Sequence, residues 1–352
     1  MSSPSTETRA VRPGEELDLP RLTAFLREQV PAFSGELTVE QFPHGHSNLT
    51  YLLKSGSQEW VLRRPPFGNQ VKSAHDMGRE YKVLSGLSQV FPPAPKPIAA
   101  CADDSILGAP FYVMERRKGL ILRRDWPADL PRNPQLLRRM CETLIDTLAD
   151  LHAINPAECG LGDLGKPDGY VQRQIGGWTK RYRDAQTDQV PEMEAVAAWL
   201  AANMPAECAA SLIHNDFKFD NVAFDPNQPE KITAVFDWEM TTLGDPLMDV
   251  GTTLGYWVEA DEVGQLSEAV VGPTALPGAM TRAELWDRYT ARRGLTGRDS
   301  RFYYVYGLFK IAVIIQQIYV RFVRGHTQDP RFAGLASRVQ QLARQAESHL
   351  NQ

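Results

Sequence analysis

The chain has 352 residues, of which 43% are hydrophobic and 23% are charged. That length accommodates about two domains with substantial cores, and the composition excludes disordered, collagen-like and disulfide-stapled proteins. The 38 Lys and Arg residues against 43 Asp and Glu give a net charge of −5, so the chain as a whole does not attract a phosphate backbone. We therefore expect a globular protein that has no nucleic-acid partner.

Three features bear on the cellular location. Four cysteines are scattered without a C-x-x-C pair, which favours buried thiols in a reducing compartment over a zinc site: Cys101, Cys141, Cys159 and Cys208. The N-terminal residues lack the apolar run of a secretory signal. The most apolar stretch, residues 302–323, contains Lys310 and Arg321, which favours a buried helix over a membrane span. These features predict a cytoplasmic protein without a membrane partner and leave the oligomeric state open.

The front part of the chain is β-rich. We expect residues 1–18 to form a flexible tail. Residues 19–30 carry apolar side chains at helical spacing, which predicts a helix. Three strands are predicted, at residues 37–42, 49–54 and 59–63. Because only short turns connect them, these strands must form an antiparallel meander.

A helix and a fourth strand complete the front part. Residues 73–87 predict the helix, with Ser73 as its N-cap. A proline-rich extended stretch leads to the strand, predicted at residues 108–115.

Beyond Gly119 the pattern becomes mainly helical. Residues 134–154 carry a broad apolar face, and two short β-like runs follow at 211–224 and 232–238. Four more helices are predicted, at residues 249–257, 281–293, 301–323 and 329–350. The sequence therefore predicts a small β-rich part, a joint near residues 115–119 and a larger helical part, with a ligand cleft where they meet.

The segment 212–224 has the form H-x-D-x-x-x-x-N between two apolar runs, with Asp216 and Asn221 as its acid and amide. A second apolar strand delivers Asp237 shortly afterwards. Phosphoryl transfer needs this combination, because one carboxylate accepts the proton of the attacking hydroxyl while an amide oxygen and a second carboxylate hold Mg²⁺. The alternative is a surface loop, since Asp and Asn are common turn residues. The flanking strands and Asp237 favour the catalytic interpretation.

Together with residues 235–239 and 244–250, this segment resembles the aminoglycoside phosphotransferase and choline kinase superfamily, small-molecule relatives of the protein kinases. The front part is similar too: residues 42–51 resemble the hairpin that covers the phosphates, and residues 60–66 and 78–81 resemble the third strand and first helix. The resemblance runs from about residue 42 to 257. It is strongest to the kinase-like domains that occur fused to acyl-CoA dehydrogenases.

The resemblance implies roles for individual residues. Asp216 would be the general base or hydroxyl-orienting carboxylate, and Asn221 and Asp237 would bind Mg²⁺. Arg63 would contact the phosphates of ATP where the family usually has Lys, and Glu80 would pair with it.

The resemblance also implies the nucleotide contacts of two backbone segments. The turn that would cover the phosphates consists of His44, Gly45, His46, Ser47 and Asn48. The hinge that would hold the adenine edge consists of Glu115, Arg116 and Arg117. His214 and Asp249 would brace the catalytic loop.

The sequence departs from the family pattern at two places. Arginine replaces lysine at Arg63, although a guanidinium can grip phosphate through a bidentate fork. Because side chains alternate along a strand, only one of Arg63 and Arg64 can face the nucleotide, and the motif favours Arg63. The covering turn has one glycine, Gly45, rather than a G-x-G-x-x-G.

Other residues have two interpretations each. His152 could be a ligand, but its place near a helix end favours a cation interacting with the helix dipole. His44 and His46 could bind a metal, but no third ligand is evident. An aromatic cage for a quaternary ammonium could be formed by Trp238, Tyr256 and Trp257, although core packing is the simpler explanation. The basic cluster comprises Arg116, Arg117, Lys118, Arg123 and Arg124, which either line the surface or receive an anionic substrate.

These observations predict an α+β, bilobal protein-kinase-like fold with a small antiparallel-sheet N-lobe and a larger, mainly helical C-lobe. The predicted division is a tail at 1–18, the N-lobe at 19–115 and the C-lobe at 116–352. The resemblance implies an ATP- and Mg²⁺-dependent kinase that phosphorylates a hydroxyl of a small molecule, and the basic cluster favours a hydroxyacyl or other anionic metabolite. The alternatives are an aminoglycoside or choline-like amino-alcohol kinase and a non-catalytic nucleotide-binding module.

Overall fold

Two units make up the chain. The structure, a computed structural model, describes residues 7–43, 48–67, 76–123, 126–127, 130–266, 272–327 and 329–351. The first unit consists of Met1–Lys118 with Ala234–Glu239, and the second of Gly119–Thr233 with Met240–Gln352. The division after Lys118 lies close to the predicted joint, but the segment that contains Asp237 groups with the first unit.

A five-stranded sheet in the order β1-β2-β3-β5-β4 forms the first unit, and its neighbouring strands are antiparallel. The strands are β1 (Thr38–Gln41), β2 (Leu49–Ser55), β3 (Gln58–Arg64), β4 (Pro97–Cys101) and β5 (Phe111–Glu115). The predicted meander is confirmed, with Leu52 opposite Val61 in β2 and β3. Gly56 turns the chain between these strands with φ of 59°, a left-handed conformation that glycine adopts without strain.

Three helices accompany this sheet. They are α1 (Leu19–Gln29), α2 (Met77–Leu87) and α3 (Asp104–Leu107). The apolar face of α1 lies in the core with the sheet, where Phe25 meets Phe111 edge-on at a centroid distance of 5.0 Å. The predicted start of the second helix is wrong: its N-cap is Asp76, whose carboxylate accepts a hydrogen bond from the Arg79 N–H, and Ser73 lies outside the described residues.

The prediction of a flexible tail over residues 1–18 is wrong for residues 7–18. Arg9 pairs with Gln41 through two backbone hydrogen bonds of 2.7 and 2.9 Å, and the side chain of Leu17 is buried in the core of the first unit. Asp18 caps α1. This stretch therefore extends the sheet edge rather than hanging free, because its apolar and capping side chains have partners on the sheet and helix. Residues 1–6 lie outside the described part.

The second unit is mainly helical. Its helices are α4 (Pro134–Ala153), α5 (Tyr170–Ala185), α6 (Pro191–Ala202), α7 (Pro246–Gly255), α8 (Val263–Leu266), α9 (Arg282–Arg293), α10 (Arg301–Val323) and α11 (Leu335–Ser348). Its short strands are β6 (Ser211–Ile213), β7 (Val222–Phe224), β8 (Ile232–Val235), whose last two residues group with the first unit, and β9 (Thr242–Gly244). These strands form two-stranded sheets, β6 with β9 and β7 with β8.

Helix α10 is the core of the second unit, where α5, α6, α7 and α11 pack around it. Two glycines allow α7 to approach α10 closely, because a Cβ at Gly307 would lie 2.0 Å from the carbonyl oxygen of Gly251. Of the described helices, α10 is the one long and apolar enough to span a bilayer, yet 67% of its most apolar window is buried in protein. The structure thus gives the apolar run 302–323 the role of a core helix, as the sequence predicted.

Candidate active site

In the first unit, three charged side chains meet at the end of β3. The Arg63 Nη1 lies 2.5 Å from the Glu80 Oε1 on α2, and its Nη2 lies 3.3 Å from the Asp237 Oδ1. Glu80 is 1% exposed. Burial opposes a charge on Arg63, but the carboxylates of Glu80 and Asp237 outweigh it and hold the pKa of Arg63 well above its usual value. The structure therefore brings Arg63, Glu80 and Asp237 together.

Arg64 points to the opposite face of β3, as strand alternation requires. Its Nη1 donates to the Leu107 carbonyl at 2.9 Å, and its guanidinium stacks 3.6 Å above the ring of Phe67. Of the two arginines, Arg63 is therefore the one that reaches Asp237.

The backbone at Asp237 has an unusual conformation. Its φ is 64°, a left-handed value that few residues other than glycine adopt, and its side chain is 34% exposed. Trp238, which follows it, is buried and donates its indole N–H to the Val235 carbonyl at 2.9 Å. Glu239 accepts a hydrogen bond of 2.8 Å from the Asn48 Nδ2. The strained turn and its anchored tryptophan hold the Asp237 carboxylate at the surface of the first unit.

The predicted covering turn is only partly described. Asn48 is 4% exposed, whereas His44, Gly45, His46 and Ser47 lie outside the described residues. The two-histidine metal interpretation therefore falls on undescribed residues as well.

The predicted hinge begins with the last residue of β5, and its charged side chains are paired. The Glu115 N–H donates to the Lys96 carbonyl at 2.9 Å, and its carboxylate lies 2.7 Å from Arg117. Arg116 lies 2.7 Å from both Glu7 and Glu59, and Lys118 also contacts Glu59 at 2.7 Å. These ion pairs favour the surface interpretation for this part of the basic cluster, because Arg116 and Lys118 pair with acids distant in sequence and Arg117 pairs with the nearby Glu115.

In the second unit, residues 214–221, the Asp216 loop, connect β6 to β7. Asp249 on α7 accepts the backbone N–H of His214 at 2.6 Å and that of Asn215 at 2.7 Å. Burial by itself raises the pKa of Asp249, but hydrogen bonding to His152 outweighs it and the pKa lies below its ordinary value. A buried carboxylate thus braces the loop in the way the family resemblance implied.

His152, which lies in the last turn of α4 as predicted, also takes part in the same brace. The side chain is 2% exposed, with Nε2 3.0 Å from Asp249 and Nδ1 2.6 Å from the Tyr289 hydroxyl. Both ring nitrogens therefore have a buried polar partner. The imidazole therefore orients Asp249.

Asp216 lies among donors. Its Oδ2 is 2.5 Å from the Lys218 Nζ and accepts a bond of 2.8 Å from the Asn221 Nδ2. Burial raises the pKa of Asp216, but the charge of Lys218 outweighs it, so the pKa lies below its ordinary value. Asp216 is therefore a carboxylate at neutral pH, able to accept a hydrogen bond from a hydroxyl group.

Sequence reasoning missed Lys218 and the role of Tyr256. The Lys218 Nζ lies 4.6 Å above the Tyr256 ring, and the Tyr256 side chain helps to lower the pKa of Asp216. Burial lowers the pKa of Lys218, but Tyr256 and Asp216 outweigh this and raise it. The signal for Lys218 was its position two residues after Asp216. The aromatic-cage hypothesis gains no support, since Trp257 is buried and donates to the Met280 carbonyl at 2.7 Å.

Each unit contains one of the two predicted Mg²⁺ ligands, Asn221 in the second unit and Asp237 in the first. Asn221 uses its Nδ2 on the carbonyl and carboxylate of Asp216, both at 2.8 Å, so its amide oxygen is the atom that would bind a cation. Asp237 offers a partly exposed carboxylate. Oxygen ligands of this kind suit Mg²⁺, which keeps several waters and needs few protein ligands. Among the residues that the structure describes, no group of three or more His, Cys, Asp or Glu is placed to hold a metal ion by itself.

Known proteins resemble this chain over most of its length. The profile of the phosphotransferase enzyme family matches residues 38–289. Acyl-CoA dehydrogenase family member 11 of Rattus norvegicus is 34% identical over 347 residues, which are 96% of this chain and 44% of that protein. The chain thus spans less than half of that relative's length.

Solved structures give the same result. A Ralstonia eutropha JMP134 protein provisionally named an aminoglycoside phosphotransferase is 32% identical with a TM-score of 0.80, and the match covers 95% of this chain and 98% of that one. The GDP complex of aminoglycoside 2'-phosphotransferase-IIIa is 17% identical with a TM-score of 0.60, over 94% of this chain and 99% of that one. The latter likeness concerns the fold.

Proposed function

The chain belongs to the phosphotransferase enzyme family, and we propose that it is an ATP- and Mg²⁺-dependent kinase for a hydroxyl group of a small molecule. The family and the α+β protein-kinase-like fold are those that the motifs predicted. The observation that carries the proposal is the state of Asp216, an ionised carboxylate held by Asn221 and Lys218 in a loop braced by Asp249.

In this proposal Asp216 orients the acceptor hydroxyl and takes its proton while the hydroxyl oxygen bonds to the γ-phosphorus. The bond from that phosphorus to the β,γ-bridging oxygen breaks, and ADP leaves. Lys218 lies beside Asp216, and its raised pKa keeps it positively charged at neutral pH. It can therefore offset negative charge that develops on the transferred group. The reaction then depends on positioning and charge neutralisation, for which the buried braces of the loop provide rigidity.

Arg63, Glu80 and the metal ligands would act on the triphosphate. Glu80 fixes the Arg63 guanidinium, whose planar fork suits a phosphate. Asn221 and Asp237 would hold Mg²⁺, which when bound neutralises charge on the triphosphate. The predicted covering turn, residues 44–48, would contribute backbone N–H groups. At the hinge the Glu115 N–H is already bonded to Lys96, so contacts to the base fall to the peptide groups that follow it.

The acceptor is proposed from the relatives, because fold alone does not fix it. A protein named for acyl-CoA dehydrogenation matches almost the whole chain, which favours a hydroxyacyl compound. Aminoglycosides and choline-like amino alcohols are the alternatives, and the name of the Ralstonia protein favours the former. The paired charges of Arg116, Arg117 and Lys118 no longer support an anionic acceptor.

We propose a cytoplasmic location. All four cysteines are free thiols, which suits a reducing compartment, and an ATP-consuming reaction needs the nucleotide pool found there. Fractionation of cells that express the untagged chain tests this, and recovery in a secreted or membrane fraction would contradict it.

The test measures ADP release from Mg-ATP, and in parallel from Mg-GTP, with hydroxyacyl, aminoglycoside and amino-alcohol acceptors. Asp216→Asn should lower turnover by about 10²–10⁴-fold, while the thermal shift caused by Mg-ATP stays. Asp225→Asn is the matched control, because Asp225 only bonds to the backbone of its own turn. Parental turnover in Asp216→Asn would disprove the role of Asp216, and nucleotide binding without turnover of any acceptor would favour the non-catalytic module.

A further inference from the structure

A buried lysine lies directly behind the Asp216 loop. Lys310, in the middle of α10, is 1% exposed. Its Nζ donates to the Asn215 carbonyl oxygen at 2.7 Å, with the Asn215 Oδ1 at 3.3 Å and the Thr252 Oγ1 at 3.4 Å. Lysine is almost never buried without a partner, and here the partner is the residue that immediately precedes Asp216.

Asn215 is held on every side. Its φ of 69° places it in the left-handed region, where a residue other than glycine needs support from its surroundings. Its N–H donates to Asp249 at 2.7 Å, and its Nδ2 donates to the Met240 carbonyl at 3.1 Å. The Tyr170 hydroxyl lies 3.2 Å from its Oδ1. The Lys310 ammonium supplies the remaining contact, to the carbonyl of the peptide bond shared with Asp216.

We propose that Lys310 is a positioning residue for phosphoryl transfer: its ammonium holds Asn215 in the left-handed conformation and thereby fixes the direction of the Asp216 carboxylate. The inference rests on the proposed function and extends it to a residue 95 positions after Asn215. Lys310 does not touch the reacting groups and acts through Asn215.

The pKa of Lys310 lies close to neutral pH. Burial lowers the pKa of Lys310 to about 8, and the carboxylates of Asp249 and Asp216 oppose that fall. The other groups that act on it are Lys218 in the loop and Arg181 on α5, both of which lower the pKa further. Lys310 is therefore an ammonium at pH 7 and loses its charge as the pH rises through about 8. If the charge holds the loop, kcat should fall over the same interval.

The experiment compares Lys310→Met with a matched control on the same helix. Gln316 is also buried, at 4% exposure, but it bonds to the Ala185 carbonyl and the Thr187 hydroxyl rather than to the loop. For each variant, ADP release from Mg-ATP gives kcat and KM, and hydrogen exchange measures protection of the His214 and Asn215 amides.

Lys310→Met should lower kcat by about 10–100-fold with KM for ATP nearly unchanged. It should also speed exchange at His214 and Asn215 by about tenfold, and Gln316→Met should do neither. Lys310→Arg carries a charge that does not titrate below about pH 12, so its kcat should stay level through pH 8. Since Lys310→Met could fail to fold, the pH profiles of the parent and Lys310→Arg provide a second test.

Three results would overturn the inference. The first is equal kcat and equal exchange in Lys310→Met and Gln316→Met. The second is an increase in exchange over the whole second unit in both variants, which indicates a general loss of stability. The third is a fall in kcat near pH 8 that persists in Lys310→Arg. A parent protein that releases no ADP would refute the proposed function instead, and the exchange comparison would still decide whether Lys310 holds the loop.

Discussion

The brace of the Asp216 loop can be tested by changing one atom of Asp249. Asp249→Asn keeps the shape of the side chain but replaces a carboxylate oxygen by an NH₂ group. The carboxylate accepts three bonds, from His214 at 2.6 Å, Asn215 at 2.7 Å and His152 at 3.0 Å, and is 0% exposed. An amide retains one acceptor oxygen, and its NH₂ faces another donor.

The magnitude follows from these contacts. Hydrogen bonds to a charged group contribute about 1.5–3 kcal/mol each, so losing two of them should reduce the free energy of unfolding by about 3–6 kcal/mol. For a unit of this size, that lowers Tm by about 6–24 °C. Because the pKa of Asp249 is lowered in the folded state, the stabilisation is complete at neutral pH and is lost as the pH falls through the folded-state pKa. The difference between variant and parent should narrow in acid.

Calorimetry at neutral and acidic pH measures this effect, with Asp150→Asn as the control. Asp150 also accepts a short bond, 2.6 Å from Arg292, but its side chain is 55% exposed, so its loss should cost no more than about 1 kcal/mol. If Asp249→Asn unfolds no earlier than Asp150→Asn, the buried carboxylate does not hold the loop. A difference that is constant with pH would refute the assignment of the effect to its charge.

Two further changes test other parts of the structure. Arg63→Met leaves the buried Glu80 carboxylate without its ion-pair partner and should reduce the free energy of unfolding by about 3–5 kcal/mol. The double variant Arg63→Met/Glu80→Leu should recover most of that loss. Urea titrations in which the double variant is no more stable than Arg63→Met would contradict this. Gly307→Ala places a Cβ 2.0 Å from the Gly251 carbonyl and should lower stability by about 1–3 kcal/mol or more. Gly176→Ala on α5 is the control, because its added Cβ meets nothing within 4 Å, and it should raise the free energy of unfolding by about 0.5–1 kcal/mol. Similar Tm shifts for the two variants would refute the close approach of α7 and α10.

Local patterns in the sequence were sufficient for much of the fold. The helix predicted at 134–154 is α4, Pro134–Ala153, and the one predicted at 301–323 is α10. Both have strong chemical signals, a broad apolar face in α4 and a long apolar run in α10. No individual helix was predicted for α6, because its apolar residues are not confined to one face. The prolines around β4 likewise hid a strand that pairs with β5.

The residues that carry the proposed chemistry were predictable where they share a motif, and missed where their partner is remote. Asp216 and Asn221 lie five residues apart and are joined by two hydrogen bonds. His152, in contrast, meets Asp249 97 residues later in the chain, so local reasoning assigned it to a helix dipole. The basic residues after β5 looked free because Glu7 and Glu59, which pair with Arg116, are far away in sequence.

The Asp216 loop also explains why the second unit buries opposite charges. A loop between two short strands cannot satisfy its peptide groups in a ladder, so side chains must do so. Asp249 accepts the N–H of Asn215, and Lys310 donates to its carbonyl. Burying both charges stabilises the fold little compared with an apolar core. What the charges supply is a single conformation for a strained residue next to Asp216. The acid holds the peptide group before Asn215 and the ammonium holds the one after it, so a rotation of either peptide group breaks a contact to a charged side chain. We therefore infer that Asp249 and Lys310 are buried because they fix the position of the proposed base, Asp216, at some cost in stability.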